Sequence, residues 1–309
     1  MGWGERVTVR REVVAGRVWS LEQEQALDVL AMNIRATVVK LQGGGLVVFS
    51  PQAPTVEFCR LLDELGPVAH IVLPTYALEH KVYVAPMARR YPAAQVWVAP
   101  GIWSAPLDLP LNLLGINAMG AVGPGQVPPP PWADEIDCKV LRVDTAGANP
   151  YIEACFLHRP TRTLLVTDLV LRIPQEPPEV ISRPRLLSLA ADDPAAAPAP
   201  MSAENLRVGW AKASLVVNFL GPAHQQAVAA GDFKGKLEWE PGYMDSFAAV
   251  SGRLIASPIL RTLVFSKGRG ATRRFLDEVC ADWGDSFDTI VPAHYDAPIA
   301  AGWCRLNPV

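Results

Sequence analysis

The feature that most limits the fold is a series of short apolar runs, each closed by glycine, proline or a polar residue. Runs with these boundaries predict β-strands that are buried on one or both faces. Between them lie segments whose apolar residues recur at helical spacing, such as 55–65, which ends before a Gly-Pro pair. The predicted strands are 12–14, 17–20, 34–41, 46–49, 70–73, 95–99, 138–143, 152–157, 163–166 and 289–291, and the predicted helices are 55–65, 81–91, 206–219, 244–256 and 271–282.

The order of these elements predicts a mixed α/β (α+β) fold in a single domain, residues 1–309. Strands and helices alternate at first, and helices then precede one closing strand, which indicates two mixed sheets with helices outside. Two stretches interrupt the pattern. Residues 101–132 are rich in proline and glycine and contain four consecutive prolines, so we expect an extended surface connection. Residues 174–205 are rich in proline and alanine, which favours an excursion or a partly mobile linker.

Charge and cysteine content exclude several classes of protein. The net charge of −3 argues against nucleic-acid binding, which usually requires a basic face. The five cysteines are odd in number and form no C-x-x-C pair, which argues against a disulfide framework or a zinc ribbon and fits a reducing compartment. The N-terminus lacks the apolar core of a signal peptide, and no uncharged run is long enough to span a bilayer. We therefore expect a soluble protein.

Four segments, taken in order, resemble motifs of the metallo-β-lactamase superfamily. The hairpin 35–51 is similar to the family strand that ends in Asp-Thr-Gly, and IVLPTYALEH at 71–80 stands where the family has a strand and then H-x-H-x-D-H. LLVTD at 164–168 is similar to a strand ending in Thr-Gly-Asp, and IVPAH at 290–294 is similar to Leu-Pro-Gly-His. The resemblance implies an αββα sandwich with metal ligands on loops at one edge of the sheets.

A closer resemblance is to one branch of that superfamily. The strings RATVVKL, LEHKV, PWADE, RTLLVTD and PAHYDAPI look like a plant, algal and cyanobacterial family known as a domain of unknown function. That membership implies a chloroplast location, in the stroma or peripheral to the thylakoid, and it assigns no reaction.

Most of the first-metal ligands of the superfamily are missing from this sequence. Thr75 and Ala77 occupy the first two histidine positions, and 147–150, where the third is expected, contains no histidine. Phe49 stands in place of the aspartate of the first motif. We interpret His158 as a turn or surface residue, because it lies in an LHRPTR segment between two strands.

The second-metal set survives in altered form. The resemblance assigns Glu79, His80, Asp168 and His294 to it, with Glu79 in place of aspartate. Two imidazoles and two carboxylates suit one Zn, Fe or Mn ion. The alternative is that these four residues hold the loops together by hydrogen bonds without a metal.

The resulting functional expectation has two forms. The first is a degenerate metallo-hydrolase-like protein with at most one metal, no nucleotide or flavin, and an unknown substrate. The second is a non-catalytic interaction or assembly protein that uses the same fold as a scaffold. The partner is accordingly an unidentified small molecule or protein, and tryptophans beside the Pro-rich loop offer one surface for it.

We predict that the protein has no binuclear centre and no measurable β-lactamase activity. The expected first-metal histidines are absent; alanine has no donor atom, and a neutral threonine hydroxyl is a poor zinc ligand. Anomalous scattering from metal-soaked crystals checks this prediction, together with a cephalosporin hydrolysis assay. Two peaks about 3.5–4 Å apart, the spacing of two-metal hydrolases, would contradict it.

Overall fold

A computed structural model describes residues 6–27, 30–104, 108–145, 149–191, 197–219, 239 and 241–300. Its first sheet has seven strands in chain order. The first four form an antiparallel meander, and the last four run parallel. The strands are β1 (Thr8–Val14), β2 (Val18–Leu27), β3 (Leu30–Lys40), β4 (Leu46–Phe49), β5 (Val68–Leu73), β6 (Gln95–Val98) and β7 (Ala118–Ala121).

The second sheet has five strands in the order β14-β13-β10-β9-β8. The β10 and β13 strands pair in parallel, and the other neighbours pair antiparallel. A separate two-stranded sheet joins β11 and β12. The bounds are β8 (Ile136–Val143), β9 (Tyr151–His158), β10 (Thr163–Leu165), β11 (Val170–Arg172), β12 (Leu254–Ala256), β13 (Thr289–Val291) and β14 (Ile299–Ala300).

The helices include the connections between the parallel strands of the first sheet. Thr55 caps the first of them, because its hydroxyl accepts a hydrogen bond from the backbone N–H of Phe58 at 3.1 Å. The helices are α1 (Val56–Asp63), α2 (Leu78–Lys81), α3 (Val84–Arg90), α4 (Arg183–Ala190), α5 (Ala203–Phe219), α6 (Tyr243–Val250), α7 (Pro258–Leu260) and α8 (Arg269–Trp283). Among the described helices, none has both the length and the apolar character of a bilayer-spanning segment.

The buried clusters show that the molecule has four layers. Between the two sheets, side chains of β4, β5 and β6 pack against those of β8, β9 and β13. The other face of the first sheet packs against α1 and α3. The other face of the second sheet packs against α8. Because each sheet buries both faces, its central strands are apolar on both sides, as the BBBB burial of β4 illustrates. The predicted αββα sandwich is confirmed.

Several element predictions differ from the structure. The helix expected at 81–91 begins at Val84 as α3, with Pro86 in its first turn, and the separate short helix α2 precedes it. The helix expected at 244–256 ends at Val250, and its last residues form β12. The strand β14, after Ala297-Pro298, was not predicted.

The two irregular stretches also contain regular structure. Residues 101–132 include a 3₁₀ turn (Leu111–Leu114) and β7, which forms one edge of the first sheet. Residues 174–205 include α4, whose Leu186 and Leu189 are buried against α5, so the linker interpretation is wrong for this part. Residues 192–196 of that stretch lie outside the described residues.

Replacing Phe156 with alanine should destabilise the sandwich strongly. Phe156 lies between the sheets, with its ring centroid 4.7 Å from that of Phe49. We expect Phe156→Ala to reduce the free energy of unfolding by about 3–5 kcal/mol, through lost burial and the cavity left behind. Urea denaturation measures the change. The control is Val56→Ala on α1, where the side chain is 85% exposed and the expected change is below about 0.5 kcal/mol.

Candidate metal centre

Four acidic and histidine side chains converge at one edge of the sandwich. Glu79 and His80 lie in α2, just beyond the end of β5. Asp168 follows β10, and His294 follows β13. Each of the four residues offers one ligand atom, and these atoms all lie within 4.8 Å of one another. The structure therefore brings together all four residues that the sequence assigned to the second-metal set.

Asp168 lies between the two imidazoles. Its Oδ1 is 3.2 Å from Nε2 of His294, and its Oδ2 is 3.5 Å from Nε2 of His80. The two imidazole rings are 5.2 Å apart and nearly perpendicular. Ligands that share a tetrahedral ion at 2.0–2.2 Å are separated by about 3.3–3.6 Å, and the two contacts, each to a different oxygen of Asp168, are close to this separation.

The hydrogen bonds of His294 determine which nitrogen faces the cluster as a ligand. Its Nδ1 lies 3.0 Å from the carbonyl oxygen of Asn33, which can only accept, so Nδ1 carries the proton. In the neutral ring, Nε2 then presents a lone pair towards Asp168. Two lone pairs repel unless a proton or a metal ion lies between them, and a ring whose other nitrogen donates to a carbonyl is typical of metal-bound histidine.

His80 is fully buried and makes its second contact with Ser50. Its Nδ1 lies at very short hydrogen-bond distance from the hydroxyl of Ser50. Its Nε2 has no hydrogen-bond partner among the described residues, because the contact with Asp168 is too long for a strong bond. A buried nitrogen without a partner is costly, and a cation bound at this point would satisfy it. The residues present therefore fit a metal ion.

The pKa values of the cluster reflect its charge. Burial acts to raise the pKa of Asp168, but the charge of His80 and the close contacts with both imidazoles hold it well below its ordinary value. Burial acts to lower the pKa of His80, but the charge of the adjacent Asp168, with the charges of Glu79 and Glu153, raises it above its ordinary value. Without a metal, a proton on His80 balances the negative charge of Asp168.

Glu153 is a functional residue that the sequence analysis missed. It is fully buried in β9, and its Oε1 accepts hydrogen bonds from the backbone N–H groups of Thr167 at 2.7 Å, Asp168 at 3.2 Å and Leu169 at 3.3 Å. Its other oxygen accepts from the hydroxyl of Tyr151. Burial and the charge of Asp168 raise the pKa of Glu153, against these hydrogen bonds. The available signal was a charged residue inside the apolar run YIEACFL.

Aromatic and cationic side chains flank the cluster. The ring of Tyr76 stacks on that of Trp103 at 5.1 Å, and Lys81 donates from Nζ to the backbone carbonyl of Trp103. Burial lowers the pKa of Lys81 to about 8, against the charge of Glu79. The pKa of Tyr76 is raised by burial and by the charges of Asp168 and Glu79. Two aromatic side chains and one buried amine therefore lie beside the four ligands.

The residues that stand where the superfamily has first-metal ligands, Thr75, Ala77 and Phe49, have structural roles. Thr75 is buried and donates its hydroxyl hydrogen to the carbonyl of Ile152 at 2.9 Å. Ala77 precedes the first turn of α2, and Phe49 packs between the sheets.

The interpretation of His158 as a turn or surface residue is wrong. His158 is the last residue of β9 and is fully buried, with Nδ1 2.7 Å from the hydroxyl of Thr161 and Nε2 3.9 Å from Glu135. Burial, with the charges of two neighbouring arginines, lowers the pKa of His158 to about 4. It belongs to a separate polar cluster, at the end of β9 remote from Glu153. His70 lies in β5 with its ring against Trp132, and His224 lies outside the described residues.

The four-layer αββα sandwich with these residues at one edge is the architecture that the sequence resemblance implied. The chain belongs to the family described as "Domain of unknown function (DUF4336)", whose model matches residues 15–307. No curated protein matches the sequence.

Several solved structures are similar to this chain over most of its length. DIM-1 metallo-β-lactamase exposed to ceftazidime shares 5% identity and a TM-score of 0.48, covering 96% of this chain and 92% of its own. A metallo-β-lactamase from Pontibacter korlensis shares 9% identity and a TM-score of 0.46, covering 97% and 95%. A metal-soaked Flv1 flavodiiron core from Synechocystis shares 9% identity and a TM-score of 0.48, covering 94% of this chain and 56% of its own.

The Asp168–His80 pair should make the stability of the metal-free protein depend on pH. The pKa of His80 is raised on folding, so its stabilising effect is complete below about pH 6.5, the value of the unfolded residue, and is lost as the pH rises through the folded value. We expect the difference in urea midpoint between wild type and Asp168→Asn, both in chelator, to shrink from pH 6 to pH 9. Taking this difference cancels other titrating groups, such as Lys81. A gap that stays constant or widens with pH would contradict the pairing.

Proposed function

We propose that this protein binds one divalent transition-metal ion through Glu79, His80, Asp168 and His294. The observation that carries the proposal is the convergence of these four ligand atoms within 4.8 Å. The buried, unpartnered Nε2 of His80 and the donor role of Nδ1 in His294 support it, because both leave a nitrogen lone pair for an ion.

The ligand chemistry narrows the choice of ion. Two imidazoles and two carboxylates suit Zn, Fe or Mn and disfavour ions that require soft thiolate ligands. An ion in this position would polarise a bound oxygen or hold the loops in place. With four protein ligands in a tetrahedral arrangement no position remains open for a substrate, and catalytic zinc sites keep such a position. The protein fits best as a degenerate metallo-hydrolase whose ion serves binding or structure, and its substrate or ligand is an open part of the proposal.

A non-catalytic interaction role is the second candidate, and apolar exposure near the site favours it. Leu78 and Val82, on either side of the ligands in sequence, are 63% and 46% exposed. Leu113 and Met119 are also largely exposed. Exposed apolar side chains of this kind are typical of surfaces that contact partners. In this role the four converging residues would hold their loops together by hydrogen bonds, without a metal, while these side chains bind a protein.

A chloroplast location, in the stroma or peripheral to the thylakoid, forms part of the same proposal. It is supported by the family resemblance and by the cysteines, since Cys59, Cys138 and Cys155 form no disulfide bond. A free thiol set is typical of reducing compartments. Fractionation of the source cells, with the protein detected by antibody, tests it. Recovery from a secreted or vacuolar fraction would refute it.

The purified protein should contain one equivalent of metal that depends on the two ligand histidines. We expect elemental analysis after dialysis against trace metal to give a ratio near one for wild type, and a loss of affinity of at least about 10-fold in His80→Ala and in His294→Ala, because each removes a ligand.

His158→Ala is the matched control for these variants. His158 is also a buried histidine beside a carboxylate, but it lies in the separate cluster with Glu135 and should leave the metal ratio unchanged. Metal-free wild-type protein after loading, or equal metal loss in all three variants, would exclude the proposed site and favour the scaffold role.

A further inference from the structure

Arg35 is a buried cation whose side chain donates hydrogen bonds to its ion-pair partner Glu22 and to one loop, residues 292–295. It lies in β3 with a side chain that is 1% exposed. Its Nε and one terminal nitrogen donate to Oε2 of Glu22, at 3.2 and 2.6 Å. The remaining hydrogens go to the carbonyls of Pro292 at 2.6 Å, His294 at 3.1 Å and Tyr295. A guanidinium has five N–H donors, so each of them is used.

The loop that Arg35 binds by these hydrogen bonds contains His294. Three carbonyls of residues 292–295 point to the side chain of Arg35, and the fourth, of Ala293, accepts from the backbone N–H of Arg35 at 2.9 Å. Next to it, Asn33 exchanges two hydrogen bonds with the backbone of Tyr295, at 2.8 and 3.1 Å. The first sheet therefore holds a loop of the second sheet by its backbone, since this loop follows β13.

This loop is joined in turn to the loop of Asp168. The backbone N–H of Ala293 donates to the carbonyl of Thr167 at 3.2 Å. Thr167 and Asp168 are held from the other side by Glu153, through their backbone N–H groups. The positively charged guanidinium of Arg35 thus binds backbone carbonyls of the His294 loop. The negatively charged carboxylate of Glu153 binds backbone N–H groups of the Asp168 loop.

We propose that Arg35 is a positioning residue for the metal centre, which sets the place and the tautomer of His294 without touching the ion. Fixing the loop brings the carbonyl of Asn33 to Nδ1 of His294, and this leaves Nε2 facing Asp168. The expected loss of metal affinity rests on the proposed metal site. The orientation of His294 does not depend on whether a metal is bound.

The test replaces the whole ion pair, because removing Arg35 alone would leave Glu22 charged, buried and unpaired. The double variant Arg35→Met with Glu22→Met keeps apolar volume at both positions and leaves no unpaired buried charge. We expect it to bind Co²⁺ about 10- to 100-fold more weakly than wild type, the usual effect of losing an outer partner, with a changed visible absorption spectrum. Arg35→Lys should lie in between, since a lysine has three donors for five acceptor contacts.

The control for simple destabilisation is Leu62→Ala on α1, far from the loop in sequence and packed in the outer cluster of the first sheet. It should lower the urea midpoint and leave the Co²⁺ spectrum and affinity unchanged. A double variant with wild-type spectrum and affinity would overturn the positioning role. So would equal spectral change in Leu62→Ala.

A metal-free readout separates this inference from the proposed function. In protein with ¹⁵N-labelled histidine and excess chelator, the Nδ1–H of His294 should give a slowly exchanging signal that disappears in the double variant and persists in Leu62→Ala. If wild type binds no Co²⁺ but this pattern holds, the metal site fails and the positioning of His294 stands. If the signal survives in the double variant, the positioning role fails whatever the metal result.

Discussion

The arrangement of this edge of the molecule depends on one carboxylate, that of Asp168, held between two buried imidazoles. Its oxygens lie 3.2 and 3.5 Å from Nε2 of His294 and His80. A charge in such a place must be balanced, because the cost of burying an unpaired ion is several kcal/mol or more. With Glu79 beside it and Glu153 beneath it, the cluster has more negative than positive groups. One divalent cation offsets two of these negative charges, whereas a proton on His80 offsets one.

The sandwich fold makes this convergence possible, because strands from both sheets end at the same edge. His80 lies just after β5 of the first sheet, whereas Asp168 and His294 lie just after β10 and β13 of the second sheet. The apolar layer between the sheets fixes their separation, and close packing resists changes in it. Small shifts of one sheet against the other would therefore change the distance from His80 to Asp168. The link from Arg35 to the 292–295 loop opposes such shifts.

The local sequence pattern predicted many of the strands and helices. Contacts between residues far apart in the chain explain the features of the site that were not predicted. Strands such as 46–49 and helix 55–65 were identified from apolar periodicity, which depends only on neighbours along the chain. The four ligand candidates were identified from the order of their motifs. The importance of Arg35 and Glu153 was missed, because each acts through backbone groups far away along the chain, which no short window contains. His158 was misread because it ends β9 between two neighbouring strands, and its pairing with Ile136 of β8 cannot be seen in the segment around it.

The absence of the first-metal histidines is more than a loss of ligands, because their positions now join the two sheets. Thr75 bonds the carbonyl of Ile152 and pairs with Glu153, while the carbonyl of Pro74 accepts from the N–H of Ala154 at 2.7 Å. Tyr76 then fills the adjoining space against Trp103 and Tyr151. Restoring histidine at 75 would have to break a buried hydrogen bond and displace packed backbone. The same contacts keep Glu153 beside the Asp168 loop, so the segment at the position of the family's ligand motif supports the remaining site.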